Sequence, residues 1–195
     1  MTGPAFRIGL GVDAHAFGDG VPLVLGGVRL DHPRGLVGHS DGDVVAHALT
    51  DALLGAAGLG DIGGLFPSED ERFRGADSLV LLSKAYASVR AAGYALVNAD
   101  CVVIGEAPRV APHRNEMRDR LARALEVTAD RVNVRATTTD GLGFTGRGEG
   151  LAAHAVALVA VIPERATGQG PDALLSEADS PFEMEGWTLE QNPPD

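Results

Sequence analysis

The chain opens on alternation. Residues 6–17, FRIGLGVDAHAF, place side chains of two kinds at every second position, the period of a strand with two distinct faces. Gly18-Asp19-Gly20 reads as a hairpin turn and 22–30, PLVLGGVRL, as the partner strand. The period then changes. Val44, Val45, Ala48, Leu49, Ala52 and Leu53 recur at helical spacing, which predicts a helix over 42–57 with Ser40 or Asp41 at its N-cap. Residues 58–76 are rich in Gly, Asp, Pro and charge and have no period. They read as one long loop, the kind of segment that serves as a lid in compact domains. A second helix is expected over 77–92, ending at Gly93, a strand over 97–104 and a third helix from Pro112 to Glu126. A strand follows at 132–138, and the apolar run 151–162 fits a strand or a helix. Strands interleaved with helices imply an α/β sandwich.

Composition narrows the functional classes. Hydrophobic residues make up 45% of the 195, enough for a substantial core. The single cysteine, Cys101, makes no intrachain disulfide and the N-terminus has no secretory pattern, so a cytoplasmic location is expected. The apolar run ending at Ile162 is too short to span a bilayer, so no membrane partner is expected. Of the net charge of -11, residues 163–195 carry -7, eight acids against Arg165. The chain thus divides into a folded domain over 1–162 and an acidic tail over 163–195, expected to lack fixed structure. Phe182, Trp187 and Leu189 in that tail leave open a short docking segment. With no basic face, nucleic acid is excluded as a partner. An anionic substrate would need bound cations.

The chemistry-bearing residues cluster in three segments. Asp13 and His15 are two apart on a strand and so share a face. Asp43, His47 and Asp51 lie at successive four-residue steps on the first helix and share one of its faces. If the two faces meet, Asp13, His15 and His47 make a three-ligand site with an open fourth position, and Asp43 or Asp51 orients His47. On spacing alone, His15 and His47 as ordinary polar residues on separate elements remain the other reading. His39-Ser40 precede a helix N-terminus, where phosphate is favoured; Ser40 as a plain cap is the alternative. Residues 136–150, ATTTDGLGFTGRGEG, offer hydroxyls, glycine-freed amides and Arg147 to a phosphate without forming a Walker loop. A glycine-rich turn holding no ligand fits the same composition. His32, His113 and His154 read as structural.

Taken together, GVDAH, HSDGDVVAHALTDALLGAAGLGDIGGLFP, GADS, EAP and ATTTDGLGFTGRGEG resemble the cyclodiphosphate synthases of the non-mevalonate isoprenoid pathway, in order and spacing, over residues 6–162. The resemblance implies a mixed β-sheet with helices packed on one face. It also implies a homotrimer with a central sheet-lined axis and active sites between subunits. It implies the conversion of 4-diphosphocytidyl-2-C-methyl-D-erythritol 2-phosphate, a cytidine diphosphate-linked small molecule, into the 2,4-cyclodiphosphate with loss of CMP. Zn2+ would be held by Asp13, His15 and His47, and Mg2+ or Mn2+ by Asp140 between the substrate phosphates. His39 and Thr138 would stabilise the transferring phosphoryl group, with Ser40 on the phosphates. Asp61, Ile62 and Gly63 would hold the diol, under a lid that includes Phe66 and Asp70. The segment Gly105, Glu106, Ala107, Pro108, Arg109, Val110 and Ala111 would hold cytosine. Thr137, Thr139, Phe144 and Arg147 complete the substrate contacts, with Arg147 and Glu149 near the three-fold axis.

The chain departs from the family pattern at four places. Asp140 stands where Glu is usual, the lid reads Phe66-Pro67-Ser68-Glu69-Asp70-Glu71, Val12 replaces an aromatic residue and His154 an acid. The residues alone leave two other classes standing, a zinc phosphohydrolase and a trimeric binder of isoprenoid diphosphates.

Overall fold

The computed structural model describes residues 6–162. The acidic segment 163–195, with Phe182, Trp187 and Leu189, lies outside the described residues. Strand β1 (Phe6–Asp19) keeps its alternation: Gly9 and Gly11 point inward and are buried, while Phe6, Ile8, Leu10 and Val12 point outward and are exposed. It pairs antiparallel with β7 (Gly150–Val161) from Phe6↔Ala160 to Ala16↔Gly150. Pairing on both sides makes the apolar run at 151–162 a strand, because β7 also pairs antiparallel with β5 (Tyr94–Ile104). β5 pairs parallel with β6 (Val132–Thr137), and helix α4 (Arg114–Ala124) supplies the crossover that a parallel pair needs. The short β4 (Arg34–Leu36) completes a mixed sheet in the order β4-β1-β7-β5-β6.

One face of this sheet carries the helices. Helix α1 (Val44–Ala57) is buried along most of its length and lies directly on β1. A Cβ on Gly11 would stand 1.9 Å from the Ala48 carbonyl oxygen, and one on Gly9 2.0 Å from that of Ala52. Helix and strand therefore meet backbone to backbone, and this close approach brings the α1 side chains to the inward residues of β1. Helix α3 (Ser78–Ala91) packs beside α1, with Leu81, Leu82, Ala85 and Val89 in the common core. Cys101 is buried on β5, and burial pushes its thiol up to about 12.

Three sequence expectations need correction. Residues 22–30 do not pair with β1. They fold on themselves as β2 (Leu23–Leu25) and β3 (Val28–Leu30), around a turn in which Gly26 and Gly27 both have positive φ, as a tight two-residue hairpin demands. The cap of α1 is Asp43, not Ser40 or Asp41. Its carboxylate accepts from the Val45 and Ala46 N–H groups and from those of Gly26 and Gly27, at 2.6–3.1 Å. The loop 58–76 is not featureless, since it contains helix α2 (Ile62–Leu65), capped by Asp61, and a 3-10 turn at Glu71–Phe73.

Candidate metal centre and phosphate-facing loops

Asp13 and His15 leave β1 on its helix side, and His47 leaves α1 toward them. Three atoms converge: Asp13 Oδ2 lies 2.9 Å from His47 Nδ1 and 3.1 Å from His15 Nε2, and the two ring nitrogens are 3.3 Å apart. Donor atoms around a tetrahedral ion at roughly 2.0–2.1 Å are separated by about 3.3 Å, so the spacing suits one metal ion with a further position open. Gly38 makes room, since a Cβ there would stand 3.1 Å from His15 Cε1.

The electrostatics agree. Burial works against the Asp13 charge, but the hydrogen bonds and charges of His15 and His47 outweigh it and hold the carboxyl well below the usual range. His15 is raised, chiefly by its hydrogen bond to Asp13, against the opposing effect of burial. Lone pairs packed this closely repel unless a proton or a cation lies among them. A metal ion would take that place among the three atoms. On its other side His15 Nδ1 donates to the Val37 carbonyl at 2.7 Å, which frees Nε2 to be a ligand.

Neither Asp43 nor Asp51 orients His47, contrary to the expectation from helix spacing. Asp43 is committed to the cap, and Asp51 accepts from the Ile62 N–H at 2.7 Å and so anchors α2. Instead His47 Nε2 meets the hydroxyls of Ser40 and Ser78, each at 2.9 Å. The Ser78 hydroxyl donates in turn to Asp41, and the Ser78 N–H does so at 3.1 Å. Nothing in the helical period of α1 could reveal Ser78, which comes from the start of another helix.

His39 lies under the lid, where its carbonyl accepts from the Gly75 N–H at 2.8 Å. Its Nε2 is buried and, among the described residues, is the side-chain nitrogen or oxygen left without a partner. Asp61 is turned into its own helix cap and Gly63 lies exposed beside it, one position past Ile62. Phe66 is buried edge-on against Phe73 at 5.2 Å, so its ring belongs to the underside of the lid. Asp70 is ion-paired with Arg72.

At the other side of the sheet, Thr137 ends β6, and Thr138, Thr139 and Asp140 form the turn beyond it. The Thr138 hydroxyl donates to Asp140 at 3.1 Å, and Asp140 holds a φ of 52°. Glu106 accepts from the Thr139 and Gly141 N–H groups at 3.1 and 3.2 Å. Those two amides are therefore not free for phosphate, and Glu106 shapes the loop through its side chain. Around it, Gly105 donates to the Thr137 carbonyl, Val110 is buried, and Ala107, Pro108, Arg109 and Ala111 follow the surface. Phe144 is exposed, and Arg147 is paired with Glu149 at 2.7 Å. The group of Asp13, His15 and His47 and this threonine loop lie at the same end of the sheet. The level runs from His15 to Leu151, and from Ala152 through Ile104 to Thr137. Two strands intervene, three spacings or about 14 Å along the sheet.

Comparison with known proteins agrees with this arrangement. Residues 6–160 match the model of the YgbB family. The 2-C-methyl-D-erythritol 2,4-cyclodiphosphate synthase of Edwardsiella ictaluri is 60% identical over 153 residues, 78% of this chain and 98% of that protein. Its counterpart from Rubrobacter xylanophilus is 61% identical over 166 residues, 84% and 98% of the two chains. A solved 2C-methyl-D-erythritol-2,4-cyclodiphosphate synthase in a CDP-bound form superposes with a TM-score of 0.72 at 43% identity, covering 78% of this chain and 99% of that one. The bifunctional IspDF of Campylobacter jejuni superposes with a TM-score of 0.78 at 45% identity, covering 80% of this chain and 42% of that longer one. The chain belongs to the YgbB family, that of the 2-C-methyl-D-erythritol 2,4-cyclodiphosphate synthases.

Proposed function

We propose that the protein closes 4-diphosphocytidyl-2-C-methyl-D-erythritol 2-phosphate into 2-C-methyl-D-erythritol 2,4-cyclodiphosphate. An oxygen of the 2-phosphate forms a bond to the β-phosphorus, the bond from that phosphorus to the bridging oxygen breaks, and CMP leaves with that oxygen. The observation that carries the reading is the convergence of Asp13 Oδ2, His15 Nε2 and His47 Nδ1 within 3.3 Å in a member of this family. Two imidazoles and a carboxylate with one open position suit Zn2+, which when bound would supply a Lewis acid for the β-phosphate. Asp140 would hold Mg2+ or Mn2+ between the phosphates, because its carboxylate is exposed at the tip of the threonine turn.

The chain's own groups do the rest by position and charge. His39 directs an unpartnered ring nitrogen that can donate to a transferring oxygen, and Thr138 offers its hydroxyl to the same developing charge. The 2-phosphate is already ionised and needs no base. The segment from Asp61 to Gly75 keeps water from the β-phosphorus. Asp61, Ile62 and Gly63 take the diol, and the Gly105–Ala111 segment takes the cytosine.

The working unit proposed is a homotrimer. At about 14 Å, the metal ligands and Thr138 of one chain cannot grip one phosphoryl group, whereas a neighbour's threonine loop can face this chain's metal. The uncovered face of β1 supports the same reading, with Ile8 71% and Leu10 64% exposed. Phosphorus NMR of protein, Zn2+, Mg2+ and substrate should show the cyclic diphosphate and CMP in equal amounts. A linear product carrying water's oxygen would overturn this reading in favour of a hydrolase. Inactive His47→Ala and Thr138→Ala subunits, refolded together, should recover part of the activity; a mixture that stays inactive would overturn the shared site.

A further inference from the structure

Asp41 and Ser78 have no place in the chemistry above, yet Ser78 is only 1% exposed and sits directly behind a metal-ligating histidine. The two residues come from distant parts of the chain, the turn before α1 and the first position of α3. Asp41 grips Ser78 through both the hydroxyl and the N–H, and its own N–H donates to the Ala76 carbonyl at 3.1 Å.

The direction of each hydrogen bond follows from what each group can do. An ionised carboxylate only accepts. The Ser78 hydroxyl proton must therefore point to Asp41, and the Ser78 oxygen can then offer His47 nothing but a lone pair. A lone pair at 2.9 Å requires a proton on His47 Nε2. A neutral imidazole with its proton on Nε2 keeps a lone pair on Nδ1, the atom that faces Asp13 and His15. Ser40 does not disturb this order. Its hydroxyl can donate to the second lone pair of Ser78 at 3.2 Å. The hydroxyls are then satisfied on this side of the ring, while on the other side a lone pair on Nδ1, 2.9 Å from Asp13 Oδ2, calls for a cation between the two atoms.

We infer that Asp41 and Ser78 are positioning residues that fix the tautomer and ring orientation of His47, so that Nδ1 is presented to a metal ion. The inference rests on the reading of Asp13, His15 and His47 as a metal site. Partners behind metal-bound histidines typically contribute roughly 10–100-fold in metal affinity. A serine hydroxyl held by a carboxylate, which only accepts, keeps its direction, whereas a water in the same place could turn.

The test has two readouts, neither of them turnover. Nitrogen-15 shifts of the His47 ring in the zinc-free protein at neutral pH should report the proton on Nε2. Zn2+ titration against a chromophoric chelator should give an affinity about 10–100-fold weaker for Ser78→Ala and for Asp41→Ala than for the wild type. Ser78→Thr, which keeps the hydroxyl, should recover most of it. Ser40→Ala, which leaves the Asp41–Ser78 pair intact, should retain most of it too. Unchanged zinc affinity in a folded Ser78→Ala protein would overturn the inference, as would a wild-type His47 with no proton on Nε2. A wild-type protein that binds no Zn2+ at all would instead take down the metal reading itself, whatever the ring nitrogens report.

Discussion

At the scale of single residues, Asp140 is where this chain departs from the expected glutamate at the proposed second metal site. Its φ of 52° lies in the left-handed region, which Asp tolerates better than longer acids do. Asp140→Ala is expected to lower turnover by roughly 100-fold or more while zinc content stays constant, and Asp140→Glu to remain active. A magnesium titration of turnover at fixed Zn2+ checks both; an unchanged magnesium dependence in Asp140→Ala would remove this residue from the second metal site. Asp43 carries a different consequence. Burial and the neighbouring Asp41 push its carboxyl up, from 3.8 to about 6. A raised folded pKa means that the folded state takes up the proton first as pH falls. Between pH 6 and 4, Asp43 therefore adds stability on acidification and loses it again as pH rises. The cost at pH 7 relative to pH 4 is up to about 3 kcal/mol at 1.36 per unit. Urea unfolding of wild type and Asp43→Asn should show their difference shifting by 1 to about 3 kcal/mol in favour of wild type on going from pH 7 to pH 4. Asp13 and His15 were legible as a pair because they share a strand face, whereas their meeting with His47 was a condition that spacing alone did not settle. Ser78 and Asp41 were not legible, because their meeting depends on how α3 docks, which no local period records.

At the scale of elements, the contact between β1 and α1 sets the geometry of the metal group. Gly11 lies two residues before Asp13, and Ala48 directly follows His47. Gly11→Ala must drive strand and helix apart, because its Cβ would overlap the Ala48 carbonyl. The expected outcome is a loss of about 1–3 kcal/mol in unfolding free energy together with weaker zinc binding. Chemical denaturation and a chelator titration measure the two effects, and a variant as stable as wild type would show that this contact is not tight. The longer helices and the strands β1, β5 and β6 were readable from periodicity, but β4, α2 and the partners of the strands were not. Gly18-Asp19-Gly20 has the composition of a hairpin turn, yet β1 runs on through Asp19 to reach β4, and the true hairpin turns at Gly26-Gly27. Composition marks where a chain can turn; the sheet's register decides which of those places is used. The run 151–162 was ambiguous for another reason: its outward face, exposed here, carries apolar Val156 and Val161 beside His154, so polar alternation does not betray its period.

At the scale of the whole molecule, the body and the acidic tail make separable predictions. A chain ending at Ile162 should keep the melting temperature and activity of the full protein within error, because the tail has little apolar periodicity with which to bury surface. Differential scanning calorimetry decides it, and a clear fall in melting temperature would show that Trp187 or its neighbours dock on the body. The outward side of β1 works in the opposite sense. Phe6, Ile8, Leu10 and Val12 form a row along one strand that no helix among the described residues covers. If the proposed trimer forms, that row sets, for a newly made subunit, a race between finding correct partners and sticking to wrong ones. Correct encounters and clumping both quicken with concentration, but clumping rises more steeply, while great dilution leaves each subunit waiting alone. Recovery of activity after denaturation should therefore peak at an intermediate protein concentration, and Leu10→Lys should abolish the peak by making the lone subunit soluble and unable to assemble.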